Sequence, residues 1–182
     1  MTTHIGLLRA VNLAGLNRVP MTALREMLDA LGFENPRTLL QSGNVVFRSD
    51  TSSGEKIEQL LERSAAKRLG VETSFFVRSA KEWNAIVSAN PFPAEAKADP
   101  GHLLVMCLKD APTRANVDAL QKAIKGREVV RAVGRTAYIV YPDGIGRSKL
   151  TATIIEKHLG CRGTARNWNT VLKLDSMASG AA

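Results

Sequence analysis

The sequence has no long hydrophobic run and few cysteines. Its longest uninterrupted apolar run, Leu103 to Leu108, is far shorter than the roughly 18 to 20 residues of a membrane span. The N-terminus has no basic region followed by an apolar stretch, as an export signal would have. The two cysteines, Cys107 and Cys161, have neither paired nor metal-ligand spacing, so they fit free thiols in a reducing compartment. We therefore expect a folded, cytoplasmic protein that does not enter a membrane.

The sequence also lacks a motif that specifies a reaction. Acidic residues alternate with basic ones, as on solvated helix faces, and no pair of carboxylates stands out. The three histidines are isolated from one another: His4, His102 and His158. No nucleophile elbow and no evident general base accompanies Ser42, Ser148 or either cysteine. We predict no metal and no cofactor, and the question of enzymatic activity stays open.

What the sequence does have is positive charge in its last third. The chain of 182 residues carries a net charge of +8. Between Lys122 and Leu174 there are eleven basic and three acidic residues, so this segment accounts for the whole excess. A local excess of this kind favours an anionic partner, such as a phosphorylated small molecule or a nucleic acid. The alternative is a basic face that only keeps the protein in solution.

The order of predicted elements indicates an α+β fold. In the first half, apolar runs and helical stripes give the order strand, helix, strand, strand, helix, strand, with a hairpin turn at Ser42-Gly43. This order is that of a ferredoxin-like (βαββαβ-type) subdomain, an antiparallel sheet covered by helices. The second half nearly repeats it, which predicts a duplication followed by an extra C-terminal helix. We predict an N-terminal subdomain over 1–89, a linker over 90–100 and a C-terminal subdomain over 101–182.

Four segments together resemble one protein family. They are Leu7 to Asn12 followed by Pro20-Met21, Gln41 to Phe47, Gly146 to Leu150, and Thr164 to Thr170. In this combination the chain resembles bacterial proteins of the domain of unknown function family numbered 1697. The resemblance covers nearly the full length. It implies a cytoplasmic bacterial protein with two ferredoxin-like subdomains, and it implies no activity.

The C-terminal half contains the stronger candidates for anion binding. Arg147, Ser148 and Lys149 combine two cations with a hydroxyl that is predicted to cap a helix, where free N–H groups stabilise a phosphate. The alternative is an ordinary serine cap beside surface charges. The stretch Gly163 to Thr170 is predicted to be a site or a helix cap and not a core strand. Within it, Asn167 is predicted to cap the last helix. Arg166 and Asn167 could hold an anion, while Trp168 could stack on a ring or serve as a packing anchor.

Polar residues of the N-terminal half extend the candidate site. Arg9, Asn12 and Asn17 lie at the end of the first strand and in its loop, and Gln41, Ser42 and Asn44 flank the hairpin turn. If these loops met each other and the Arg147 turn, they would line a basic groove between the subdomains. The alternative is that these residues only perform turn chemistry. The complete set of predicted ligand-binding residues is Arg9, Asn12, Asn17, Gln41, Ser42, Asn44, Arg147, Ser148, Lys149, Arg166, Asn167 and Trp168.

Three functions are compatible with these patterns. The first is a non-catalytic or regulatory binder of a small phosphorylated or nucleotide-like anion, or of nucleic acid. The second is an enzyme of phosphoryl or acyl transfer that uses the arginine-rich cleft. The third is a protein-protein interaction module. Phe47, Phe75, Phe76 and Tyr138 have apolar neighbours and no RNA-recognition fingerprint, which argues against sequence-specific RNA binding.

Overall fold

Two four-stranded antiparallel sheets with helices make up the computed structural model, which describes residues 1–13, 17–51 and 53–180. The strands are β1 (Thr2–Leu8), β2 (Glu34–Leu39), β3 (Asn44–Ser49), β4 (Phe75–Ser79), β5 (Leu103–Leu108), β6 (Val129–Val133), β7 (Thr136–Val140) and β8 (Gly163–Asn167). The helices are α1 (Met21–Ala30), α2 (Gly54–Leu69), α3 (Ala80–Ser88), α4 (Pro93–Ala98), α5 (Arg114–Ala123), α6 (Ala152–Leu159) and α7 (Trp168–Ser179). The predicted fold class, α+β with a C-terminal helix and consistent with two ferredoxin-like subdomains, is confirmed.

The first sheet has the strand order β2-β3-β1-β4. Helices α1 and α2 bury one face of it, because their apolar residues recur every three or four positions and form a single stripe. Leu24 and Leu28 of α1, and Leu61 of α2, join a core that includes Val45 and Phe47 of β3. The chain folds into this layer because neither the sheet nor the helices could bury their apolar sides alone.

The second sheet has the equivalent order, β6-β7-β5-β8. Leu120 of α5 and Ile155 of α6 pack with Met106, Ala137 and Ile139 of the sheet. In both sheets the side chains on the opposite face from this core are also buried, for example Leu7 and Phe76 in the first sheet and Val105 and Tyr138 in the second. Inner strands such as β5 and β7 are therefore buried on both faces, which explains why they appear in the sequence as continuous apolar runs.

The chain forms two compact units. One comprises Met1–Ala85 and Lys173–Ala182, and the other comprises Ile86–Leu172. Helix α7 therefore begins in the second unit and ends in the first. The segment predicted to be a linker, 90–100, contains the short helix α4. In the described part of the chain, no helix combines the length and the apolar character needed to cross a bilayer.

Side chains from the helices protect the edge strands. The outward N–H groups of Phe75 and Val77 in β4 donate to the carboxylates of Glu62 (3.0 Å) and Glu58 (2.8 Å) in α2. At the equivalent edge of the second sheet, the N–H of Gly163 in β8 donates to Glu156 of α6 at 3.0 Å. These bonds occupy backbone donors that would otherwise be available for pairing with another strand.

Two predictions about the C-terminal half were wrong. Gly163 to Asn167 form the edge strand β8, paired with β5, although the segment was predicted not to be a core strand. Its glycine, alanine and asparagine have low strand propensity, and pairing with the apolar β5 overrides that preference. Ser148 does not cap α6, because Thr151 accepts the hydrogen bond from the Ile154 N–H at 3.4 Å. The predicted cap of the last helix, Asn167, is confirmed by its bond from the Thr170 N–H at 3.0 Å.

His4 lies fully buried in β1 and should make the first unit sensitive to acid. Its Nε2 is 3.1 Å from the Thr51 carbonyl, its ring stacks on Phe47, and its Nδ1 has no hydrogen-bond partner among the described residues. Burial lowers the pKa of His4 below 6.5, opposed by the Thr51 hydrogen bond and the charge of Glu82. As the pH falls, His4 is therefore protonated at a higher pH in the unfolded chain than in the folded protein.

We expect the free energy of unfolding to fall below pH 6.5, where the unfolded histidine titrates, with a slope approaching about 1.4 kcal/mol per pH unit until the folded pKa is reached. His4→Gln removes this titration while keeping a donor for the Thr51 carbonyl. Urea denaturation of both proteins between pH 8 and pH 5 measures the effect. If the two proteins differed in free energy of unfolding by the same amount at every pH, the titration of His4 would not be the cause of the loss of stability in acid.

Candidate functional site

The polar loop residues predicted in the first unit bind one another and the backbone. The Asn12 side-chain amide donates to the carbonyls of Gln41 (2.6 Å) and Val19 (3.0 Å), and its oxygen accepts from the Val19 N–H. Asn17 donates to the Ala10 carbonyl at 3.2 Å. The structure therefore brings the loop after β1 onto the hairpin turn, and the amides of this cluster hold the two loops together.

The hairpin turn between β2 and β3 follows the same pattern. The buried side chain of Asn44 donates to the Leu39 carbonyl at 2.8 Å and to the Ser42 hydroxyl at 2.9 Å. The carbonyl of Arg9 accepts from the Thr73 hydroxyl at 2.7 Å. Turn geometry therefore accounts for Asn44 and for the Ser42 hydroxyl that it contacts.

In the second unit, the predicted segment Arg147 to Lys149 lines a cavity. The cavity has a volume of about 470 Å³, and we call it the basic cavity. It is formed where the segment after α5 meets the segment between β7 and α6. Its lining residues are Ala123, Ile124, Lys125, Gly126, Glu128, Asp143, Arg147, Ser148, Lys149, Leu150 and Ile154.

Hydrogen bonds fix the two segments against each other. Ser148 donates its hydroxyl proton to a carboxylate oxygen of Glu128, and the same hydroxyl accepts from the Leu150 N–H at 2.9 Å. The buried Tyr141 donates to the Leu150 carbonyl at 3.3 Å. Burial, and secondarily the charge of Glu128, raises the pKa of Tyr141 to about 12, so this phenol remains a donor across the physiological range.

Gly126 allows the Glu128 carboxylate to lie where Ser148 can reach it. A Cβ at position 126 would overlap the carboxylate of Glu128. Any other residue would therefore push this flexible side chain away from its position. Because Gly126 has no side chain, it leaves room for the Glu128 carboxylate, and Ser148 holds the carboxylate in place with a hydrogen bond.

The charges around the cavity are mostly positive. Neither Lys125 nor Lys149 forms an ion pair within the described part of the chain. Asp143 is bound by Arg127, whose Nε donates to it at 2.9 Å. This hydrogen bonding lowers the pKa of Asp143, burial opposes the shift, and the charges of Arg127 and Arg147 add to it. The carboxylate is therefore ionised and compensated by Arg127, while the lysines keep uncompensated charge at the rim.

The last three predicted residues lie apart from the basic cavity, on β8 and at the start of α7. Arg166 donates to the Thr164 hydroxyl (2.9 Å) and to the Ala165 carbonyl (2.8 Å), and burial lowers its pKa to about 10. It remains charged at neutral pH. Asn167 is the helix cap, and the Trp168 side chain is only 7% exposed.

Sequence reasoning missed most of the cavity wall. Lys125 and Glu128 are separated from Ser148 by about twenty residues, and neither was among the predicted ligand-binding residues. For Lys125 and Glu128, the only sequence signal was the local excess of basic residues. The contact between Glu128 and Ser148 depends on how α5 and α6 pack on the sheet, and no local pattern encodes it.

The fold and the cavity define a two-sheet α+β protein with a cation-lined cavity in its second unit. The chain belongs to the family "Protein of unknown function (DUF1697)", whose profile matches residues 1–138. The resemblance seen in the sequence is confirmed.

A solved structure has a similar fold over nearly the whole length. It is that of the conserved bacterial protein SP0830 from Streptococcus pneumoniae, which is 22% identical, with a TM-score of 0.71. The match covers 97% of this chain and 98% of that chain. At this level of identity the likeness shows the fold alone. None of the curated proteins compared with the chain matches it.

Proposed function

We propose that the protein is a non-catalytic or regulatory binder of a small anionic ligand, phosphorylated or nucleotide-like, and that the ligand binds in the basic cavity. One observation carries the proposal: Lys125, Arg147 and Lys149 line the same cavity, and the two lysines have no ion pair among the described residues. Placing such cations around a concave site is unfavourable unless an anion or water compensates them. A bound anion would lower their mutual repulsion.

A small molecule is favoured over nucleic acid as the ligand. Single strands are bound on exposed aromatic side chains on which successive bases stack. Phe47, Phe75, Phe76 and Tyr138 are each at most 1% exposed, so none of them offers a ring face to a base.

Two expectations from the sequence stay predictions: the ligand groove between the subdomains and the cytoplasmic location of the protein. The reduced thiols of Cys107 and Cys161 support the cytoplasmic location.

The proposal is tested by screening the purified protein for thermal stabilisation by inorganic phosphate, sugar phosphates, nucleotides, polyphosphate and short oligonucleotides. A ligand at a hundred times its dissociation constant adds about 2.7 kcal/mol to the free energy of unfolding. We expect a small phosphorylated compound to stabilise the protein, and Arg147→Ala and Lys149→Gln each to weaken its binding about tenfold. A higher salt concentration should reduce the effect.

Lys157→Gln is the matched control. It removes the same charge from an exposed position on α6, outside the cavity lining. If Lys157→Gln weakens binding as much as Lys149→Gln, the overall charge and not the cavity attracts the ligand. Stabilisation by oligonucleotides alone would favour nucleic acid.

A second function, acyl or phosphoryl transfer, is favoured by the hydrogen bond between Ser148 and Glu128. A carboxylate in this position can accept the hydroxyl proton of an attacking serine. With acetyl phosphate as donor, the Ser148 oxygen would form a bond to the carbonyl carbon or to phosphorus. The bond to the leaving oxygen would break with the electron pair going to that oxygen, and the proton would go to Glu128.

Intact-mass spectrometry after incubation with acetyl phosphate distinguishes an added acetyl group from an added phosphoryl group. Modification at Ser148 should be abolished in Ser148→Ala and slowed in Gly126→Ala, where the new methyl group displaces Glu128. An unmodified protein, or modification that Gly126→Ala leaves at the same rate, would rule out this pair as the reacting groups.

A further inference from the structure

We infer that the ligand of the basic cavity is an anion with an apolar body, namely a phosphate monoester or carboxylate attached to an aromatic or branched aliphatic group. This inference rests on the proposed function and specifies its ligand class. It excludes bare inorganic anions and polyphosphates as preferred ligands.

The first argument is the apolar part of the lining. Ile124, Leu150 and Ile154 lie in the same cavity as the three cations. Ile154 is 37% exposed, while the next residue of α6, Ile155, is 3% exposed and belongs to the core. Ile154 therefore presents apolar surface to the cavity and not to the interior of the unit. Covering that surface with an apolar group is favourable, and covering it with a hydrated inorganic ion is not.

The second argument is size. A cavity of about 470 Å³ lies in the range of roughly 300 to 1,000 Å³ that is typical of sites for organic ligands. A single water molecule takes up about 30 Å³ of liquid, and an inorganic phosphate ion is only a few times larger. An inorganic ion held by the lysines would leave most of the cavity to water, whereas an organic body would fill it.

The third argument is the sign of the remaining charges. Glu128 and Asp143 lie in the lining together with Lys125, Arg147 and Lys149. Asp143 is already compensated by Arg127, and the Glu128 carboxylate accepts from Ser148. A single anionic group can lie beside the cations and away from both carboxylates. A polyphosphate would place further negative charge against them, and like charges in contact weaken binding.

The test is isothermal titration calorimetry of the intact protein with inorganic phosphate, phenyl phosphate and triphosphate. We expect phenyl phosphate to bind about tenfold tighter than inorganic phosphate, which corresponds to burying roughly 55 Å² of apolar surface. Triphosphate should bind no tighter than phenyl phosphate. Ile154→Ser should remove most of the advantage of phenyl phosphate over inorganic phosphate.

Ile145→Ser is the matched control, since Ile145 is 43% exposed and does not line the cavity. Ile154→Ala serves as a milder second variant, and it should remove part of the advantage. Equal affinities for phenyl phosphate and inorganic phosphate would overturn this inference and leave the proposed function standing. An advantage that persists in both Ile154 variants would also overturn it. Absence of binding by all three compounds would overturn the inference together with the proposed function.

Discussion

Replacing Glu58 by alanine is expected to lower the free energy of unfolding by about 3 to 5 kcal/mol, because it removes one partner of a buried ion pair. The Arg78 Nη1 lies 3.5 Å from the Glu58 carboxylate, and these side chains are 4% and 6% exposed. The same carboxylate accepts from the Val77 N–H at 2.8 Å. The substitution therefore also leaves a backbone donor at the edge of the first sheet unsatisfied.

Urea denaturation measures this effect in the first unit. The fluorescence of the buried Trp83 reports on that unit, and it can be isolated by placing Trp168→Phe in every protein of the series. Arg78→Met and the double variant complete a cycle that separates the ion pair from its surroundings.

The control is the exposed pair of Arg48 and Glu34, which are 3.9 Å apart and about half exposed. Glu34→Ala should cost less than about 1 kcal/mol, because solvent screens an exposed pair. If Glu58→Ala cost no more than Glu34→Ala, the buried pair would contribute nothing beyond an ordinary surface contact.

Gly43→Ala is the second substitution with a large expected effect, a loss of about 2 to 4 kcal/mol from strain and overpacking together. Gly43 has a φ of +76°, and a Cβ there would lie 2.7 Å from a Val11 methyl carbon and 2.8 Å from the Leu8 Cβ. The Gly43 carbonyl accepts from the Leu8 N–H at 2.8 Å, so the turn cannot move away without breaking this bond between β1 and the hairpin.

Gly32→Ala isolates the contribution of backbone strain. Gly32 lies in the same unit with a φ of +80°, and a Cβ there would have no neighbour within 4 Å. We expect this control to lose about 1 kcal/mol. The same urea denaturation series measures both variants. Similar losses for the two would mean that the contacts with Leu8 and Val11 give way at no cost.

The sequence pattern predicted best those elements whose signals are local. The stripe of Leu24, Met27, Leu28 and Leu31 indicated α1, and the run Leu103 to Leu108 indicated β5, because a helix or a buried strand imposes its period on neighbouring residues. The end of a helix also leaves a local signal, and Asn167 was identified as a cap in this way. Once the elements and their order were known, the βαββαβ arrangement followed for the first half and, except for its last strand, for the second half.

Structural features that depend on tertiary contacts were predicted incorrectly from the sequence. The segment Gly163 to Asn167 has little strand propensity, so its place beside β5 was missed. Ser148 was taken for a helix cap because a hydroxyl before an apolar stripe usually is one. Its hydroxyl instead meets Glu128, twenty residues away. The amides of Asn12 and Asn44 were selected as ligand groups, and they instead bind the backbone carbonyls of Gln41 and Leu39.

By itself, the sequence determined the fold class, the family and the half of the chain that carries the positive charge. Composition and short-range periodicity are sufficient for these properties, since each is a sum over local patterns. Only the tertiary structure decided which charged side chains are paired with a partner. It paired Arg127 with Asp143, Arg78 with Glu58, and Ser148 with Glu128. It also placed Lys125 and Lys149 around the basic cavity. Whether a charge is compensated depends on distances between residues far apart in the chain, and folding alone determines those distances.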